Sequence, residues 1–152
     1  MTIDVAPAMW RRENNNYLVK RVGYILFNFL EMTEDYRIDG ATKKTFVMTA
    51  KNIDAILDLD PRAKYDAGED SNEELLLYKS MNSPLTNILK ICKNEDRTFS
   101  FSYCEAADDD NIQSFNEILL KPGQVRMVQS ICEFALPALT GMHAIYNPSI
   151  IG

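Results

Sequence analysis

Residues 117–148, EILLKPGQVRMVQSICEFALPALTGMHAIYNP, decide how the rest of the chain is read. A short β pattern, Glu117-Ile118-Leu119-Leu120, meets the turn residues Lys121-Pro122-Gly123, and a long apolar-rich segment follows. That segment predicts a C-terminal helix over residues 124–146, with Pro137 in its interior. A proline there removes a backbone donor and costs about 3 kcal/mol, so a chain keeps one only where packing compensates. The expectation is a kinked, buried helix closed by Gly141-Met142-His143-Ala144. A helix rich in Ile131, Phe134, Leu136 and Leu139 also needs a partner to cover it.

Upstream the signals are those of strands. Residues 114–120 read as one, and residues 98–104 alternate, with Phe99, Phe101 and Tyr103 opposite Ser100, Ser102 and Cys104. Residues 74–80 and 86–93 are two more. The acidic runs 66–74 and 105–110 read as solvated linkers. Residues 44–50 place Phe46, Met48 and Ala50 on one face and Thr45, Val47 and Thr49 on the other. The spacing of Ile53, Ile56 and Leu57 then predicts a short helix that ends near Leu59-Asp60-Pro61. Residues 34–43 read as a loop around Asp39-Gly40, and residues 17–31 as β structure with a hairpin bend at 21–23. Residues 11–16 form a polar turn signal, and Ile3 and Val5 are compatible with a strand start. The chain thus repeats a unit of antiparallel strands followed by one helix. The expected class is α+β, with the helices on one side of the sheets and the other sheet face open.

With 152 residues, 46% hydrophobic and 25% charged, the chain suits one globular domain. No apolar run approaches the roughly 20 residues of a membrane span. Met1-Thr2-Ile3-Asp4 lacks a basic region before an apolar one, so no secretory signal is expected. Cys92, Cys104 and Cys132 are scattered and odd in number, which reads as free thiols in a reducing compartment. With His143 as the only histidine they cannot build a zinc site. Asp108-Asp109-Asp110 lacks the glycine and distal glutamate of a calcium loop. There is no glycine-rich phosphate loop and no Ser-His-Asp arrangement, so no catalytic residue, metal or cofactor is expected. The net charge is −6, unevenly spread: residues 1–51 hold eight basic against six acidic residues, and residues 52–152 eight against sixteen.

Three blocks, in this order, carry a resemblance. They are Gly23-Tyr24-Ile25-Leu26-Phe27-Asn28-Phe29, the run from Lys44 through Ala50 to Ile53, and the C-terminal segment from Ser130 through Phe134, Pro137 and Leu139 to Gly141-Met142-His143-Ala144. Ile88-Leu89-Lys90-Ile91 followed by Phe99-Ser100-Phe101-Ser102 adds to them. The chain resembles the Whirly family of plant single-stranded DNA-binding proteins and the related kinetoplastid mitochondrial guide-RNA-binding proteins, within the superfamily of the coactivator PC4. The resemblance implies a single Whirly-like domain over residues 17–152, preceded by an N-terminal strand or arm at 1–16. It also implies a tetramer of identical or paralogous subunits packed through the C-terminal helices, and an intracellular, organellar (mitochondrial) setting. Two features depart from the family: its basic Lys-Gly-Lys type strand has only Arg11-Arg12 as a partial counterpart, and the pI is near 4.8.

Single-strand binders join a basic groove for the backbone to aromatic platforms for the bases. If Ile25, Phe27 and Phe29 face the helices, Tyr24, Leu26 and Asn28 face outward, together with Thr45, Val47, Thr49, Ser100 and Ser102. Lys90 then shares the open face with Ile88 and Cys92, and Lys20, Arg21, Lys43 and Lys44 border it. Trp10 beside Arg11 and Arg12 is either a stacking residue or a staple for the N-terminus. The candidate binding residues are therefore Trp10, Arg11, Arg12, Lys20, Arg21, Tyr24, Asn28, Lys43, Lys44, Thr45, Thr49 and Lys90. The expected function is binding of single-stranded DNA or RNA with low sequence specificity. The alternative is a structural or protein-interaction subunit that uses the same fold with little nucleic-acid affinity.

Overall fold

The computed structural model describes residues 1–14, 16–32, 34–35, 37–61, 74–80, 85–107 and 111–142. Nine strands and two helices follow in the order β1 (Thr2–Ala6), β2 (Met9–Glu13), β3 (Asn16–Arg21), β4 (Tyr24–Met32), β5 (Ile38–Met48), α1 (Ile53–Leu57), β6 (Glu74–Ser80), β7 (Thr86–Lys93), β8 (Phe99–Ala106), β9 (Ile112–Leu120) and α2 (Pro122–Thr140). The first sheet has the order β1-β4-β5 and the second β6-β7-β8-β9, all antiparallel. Among the described residues, strands β2 and β3 pair only with each other. The α+β architecture of strands followed by a helix, twice over, is the one expected.

One long bent ribbon runs through the first half. Strand β1 pairs with β4 from Thr2↔Asn28 to Ala6↔Tyr24, and β2 with β3 from Met9↔Arg21 to Glu13↔Asn16. Pro7-Ala8 on one side and Val22-Gly23 on the other interrupt it at the same level. The break anticipated at 21–23 is present, but the strands it separates belong to different sheets and do not form a hairpin with each other. The polar stretch from Arg11 is likewise strand, and the reversal falls at Asn14, whose φ of 48° is the left-handed geometry that a tight two-residue turn requires. The expected loop 34–43 is in large part strand. β5 begins at Ile38, and Asp39-Gly40 starts a bulge where Phe29↔Lys44 gives way to Glu31↔Asp39. The Asp39 carboxylate accepts from the Ala41 amide at 2.9 Å, so the turn chemistry there serves the bulge.

The core is continuous across both sheets and both helices. Ile25, Phe27 and Phe29 of β4, Phe46 and Met48 of β5, Phe99, Phe101 and Tyr103 of β8, and Val125, Val128, Cys132, Ala135 and Leu139 of α2 are all buried in it. Helix α1 has five residues, too few to be stable alone. Ile53 and Ile56 hold it in the core, and the Gln129 side-chain amide lies 3.0, 3.2 and 2.7 Å from the carbonyls of Ile56, Leu57 and Leu59. That amide satisfies acceptors the helix end leaves open.

Helix α2 begins two residues earlier than the pattern implied, because Pro122 takes the first helical position and the Gln124 side chain accepts from the Lys121 amide at 2.8 Å. It passes through Pro137 and stops at Thr140, where Gly141 turns left-handed at φ 82°. The expected continuation to residue 146, including His143, lies outside the described residues. Carbonyls of its last turn find donors outside the helical ladder. The Thr140 hydroxyl donates to the carbonyls of Leu136 at 3.0 Å and Pro137 at 3.3 Å, the Ala8 amide to Ala138 at 2.9 Å, and the Gly23 amide to Leu139 at 2.9 Å. The bend of the ribbon is thus docked on the helix end. A Cβ at Gly23 would stand 2.7 Å from the Ala6 carbonyl oxygen, 2.7 Å from Leu139 Cα and 2.8 Å from the Ala8 amide, all backbone atoms. Gly23→Ala is expected to lower stability by about 2–3 kcal/mol or more, read as a lower urea midpoint at unchanged slope.

Candidate nucleic-acid interface

The outer face of the first sheet carries Thr2 and Asp4 from β1, Tyr24, Leu26 and Asn28 from β4, and Thr45 and Val47 from β5, as the alternation of the buried residues requires. Asn28 is only 1% exposed there. Its amide donates to Thr2 Oγ1 at 3.2 Å and Asp4 Oδ2 at 2.6 Å, and its carbonyl oxygen accepts from Thr45 Oγ1 at 2.8 Å. Asn28 and Thr45 therefore lie on the expected face and are brought together, but they are engaged with each other and with Asp4. A closed polar network of this kind fixes the register of three strands.

Tyr24 stands at the other end of that face. The Arg21 guanidinium lies over its ring, 4.8 Å from the centre, and donates to its hydroxyl at 3.0 Å, so the two side chains hold each other in place. Thr49 is nearby, its hydroxyl 3.1 Å from Asn52 Oδ1 in the capping box that starts the turn Ala50–Asn52. Arg21, Tyr24, Leu26, Val47 and Thr49 line a common surface cavity. Lys20 is exposed on β3, and Lys43 is exposed within the bulge of β5. Arg11 and Arg12 lie on β2, where Arg11 pairs with Glu13 at 3.0 Å.

Three placements correct the expectation. Lys44 has the parity of Phe46 and Met48 and turns to the core side. Its ammonium lies 3.0 Å from Glu105 Oε1 and 4.2 Å from the centre of the Phe115 ring, joining β5 to β8 and β9. The Tyr103 hydroxyl donates to the same carboxylate oxygen at 3.0 Å. Ser100 and Ser102 are 6% and 4% exposed, recessed between the larger cross-strand neighbours Cys92 and Leu119, and Lys90 and Glu117. Ile88 on that face is also buried, so the second sheet offers less open surface than alternation implied. Lys90 is on the face expected but holds Glu74 at 2.6 Å, a contact that raises its pKa.

Trp10 sits at the helix end. Three atoms of its indole come within 3.3 Å of where a Cβ on Gly141 would be, so the ring covers the left-handed cap, and its Nε1 is enclosed without a partner among the described residues. Of the two readings of Trp10, this placement is that of a staple. Val22, Leu26, Val47 and Lys51 line the cavities around Tyr24 and Thr49 but were not among the candidate residues. Alternation already put Leu26 and Val47 outward, and apolar residues on an open face were the available signal.

The cysteines are free thiols; burial raises the pKa of all three, and that of Cys132 to about 11. Among the described residues no group of three His, Cys, Asp or Glu side chains is placed to hold a metal ion, and no helix is long and apolar enough to cross a membrane.

This is an α+β fold in which two antiparallel sheets and a C-terminal helix share one core, with a basic ribbon projecting past the helix end. The same arrangement is found in solved plant proteins. The chain superposes on WHY1 from Arabidopsis thaliana with a TM-score of 0.75 at 19% identity, covering 95% of this chain and 81% of that one. For the plant transcriptional regulator PBF-2 the TM-score is 0.76 at 15% identity, with 96% and 79% covered. For WHY3 from Arabidopsis thaliana it is 0.75 at 16%, with 97% and 89% covered. No protein-family model matches the chain, and no curated protein matches it in sequence. The fold is the Whirly fold.

The Tyr103 phenol gives a pH test of the inter-sheet contact. Burial and then the hydrogen bond to Glu105 raise its pKa above the ordinary tyrosine value. A raised folded-state pKa means that stability is fully present below the unfolded value and is lost as pH rises beyond about 10. Urea unfolding at neutral and strongly alkaline pH should show a loss of stability that is shallower in Tyr103→Phe than in wild type.

Proposed function

We propose that this chain binds single-stranded nucleic acid, DNA or RNA, with low sequence specificity, and that its role is binding rather than catalysis. The observation that carries the reading is the ribbon arm formed by β2 and β3. Within residues 9–21, Arg11, Arg12, Lys20 and Arg21 face one acidic residue, Glu13, in a chain of sixteen basic and twenty-two acidic residues. Basic charge is therefore concentrated on one projection that continues into the Arg21–Tyr24 pair. An extended two-stranded arm beside an open sheet face suits a splayed strand whose bases are accessible. The Whirly fold and the resemblance to single-stranded DNA-binding proteins support the same reading.

Assembly is part of it. Helix α2 carries a second apolar stripe, Met127, Ile131 and Phe134, opposite the one in the core, with Phe134 88% exposed. The proposed occupant is the same stripe of another copy, building a tetramer with the sheets outward. Light scattering should show Phe134→Glu as a smaller species than wild type; equal masses would remove this part of the proposal.

The alternative, a structural or protein-interaction subunit, has its own observations: Lys44 and Lys90 are engaged by Glu105 and Glu74, and the net charge is −6. Fluorescence anisotropy with labelled oligo(dT) and oligo(U) separates the two. Binding through four arm cations should weaken about 50-fold between about 50 and 200 mM salt, and Arg12→Ala or Lys20→Ala should each reduce the log–log salt slope by about 0.7. Absence of binding by either oligonucleotide at micromolar protein in low salt favours the alternative.

A further inference from the structure

The bend that docks the ribbon on α2 also opens two adjoining cavities. One, of ≈ 400 Å³, lies on the outer face of the first sheet, walled by Arg21, Tyr24, Leu26 and Val47. The other, of ≈ 370 Å³, lies toward the helix end, walled by Ala50, Lys51, Leu139 and Thr140. Val22, Gly23 and Thr49 are common to both and form the wall between them. Gly23 has no side chain and Thr49 is held by Asn52, whereas Val22 is 63% exposed. The ridge that reaches solvent is therefore the Val22 isopropyl group.

The chemistry of the two cavities is alike. Each is lined mainly by apolar groups, shares Thr49 on its wall and has one cation, Arg21 for the first and Lys51 for the second. Among the described residues no carboxylate lines either cavity, although the chain has twenty-two acidic residues. Such a site suits a flat uncharged ring with an anion beside it, and there are two of them in succession. Bases stacked in a duplex cannot enter cavities separated by a ridge; consecutive bases of a flexible single strand can.

We propose that the two cavities receive two successive bases of one single strand, with Val22 wedged between them and Arg21 and Lys51 holding the flanking phosphates. Apolar side chains are suited to this task because they break a stacked step without offering a hydrogen bond that selects one base. The proposal rests on the nucleic-acid reading above and adds to it the step at which the strand is unstacked.

The test uses oligo(dT) carrying two adjacent 2-aminopurines, whose fluorescence is quenched while they are stacked and rises when they are separated. Saturation with wild type or Val22→Ile should raise the fluorescence. Val22→Ala should bind about fivefold more weakly, as expected for partial loss of one stacking contact, and should show no rise when saturated. Its thermal unfolding should match wild type, since the side chain is largely outside the core. Binding by wild type without a rise, or an equal rise with Val22→Ala, overturns the wedge and leaves the nucleic-acid reading standing. Failure of wild type to bind the oligonucleotide at all removes both.

Discussion

The bend of the ribbon and the arm beyond it depend on how the C-terminal end of α2 is finished. A helix leaves its last carbonyls without intrahelical donors. Here the Thr140 hydroxyl reaches back to the Pro137 carbonyl, and the amides of Ala8 and Gly23 take those of Ala138 and Leu139 from the ribbon. Gly141 leaves the helix left-handed, and Trp10 covers it. One set of hydrogen bonds thus caps the helix, fixes the bend of the ribbon and sets the direction of the arm. Because the contacts are backbone to backbone at Gly23, no side chain can be introduced there without moving one of the three segments.

Two polar networks hold the sheets. Asn28, Thr2, Asp4 and Thr45 lock the three strands of the first sheet, and Lys44, Glu105 and Tyr103 tie that sheet to the second. Both networks use residue types that read as ligand contacts in isolation. Cations are gathered on the arm and the bend, in an otherwise acidic chain. An overall negative charge is compatible with such a site, since counterion release is governed by local contacts with phosphates and not by net charge.

Several strands were legible from residues alone: β6 and β7 at their full length, and, through alternation, β8 to within two residues of its end with the inward set Phe99, Phe101 and Tyr103. Alternation also holds the correct side for Lys44, through its parity with Phe46, a reading that charge obscures. What the sequence does not carry is which strands pair. The turn signals at Arg21–Gly23 and Asp39-Gly40 are local and correct, yet one marks a bend between two sheets and the other a bulge inside one strand. Trp10 next to two arginines looks like a stacking site until Gly141, 131 positions later, is seen beneath its ring. Small side chains on an outward face, as at Ser100 and Ser102, are hidden by neighbours that only the register supplies.

The central claim is that the arm and the bend at its base, not the second sheet, meet the nucleic acid. Hydrogen–deuterium exchange with and without saturating oligo(dT) tests it directly. The account predicts slower exchange on binding within residues 9–26 and 45–51, and no change within β8. Protection confined to the second sheet, or spread evenly over the chain, would contradict it.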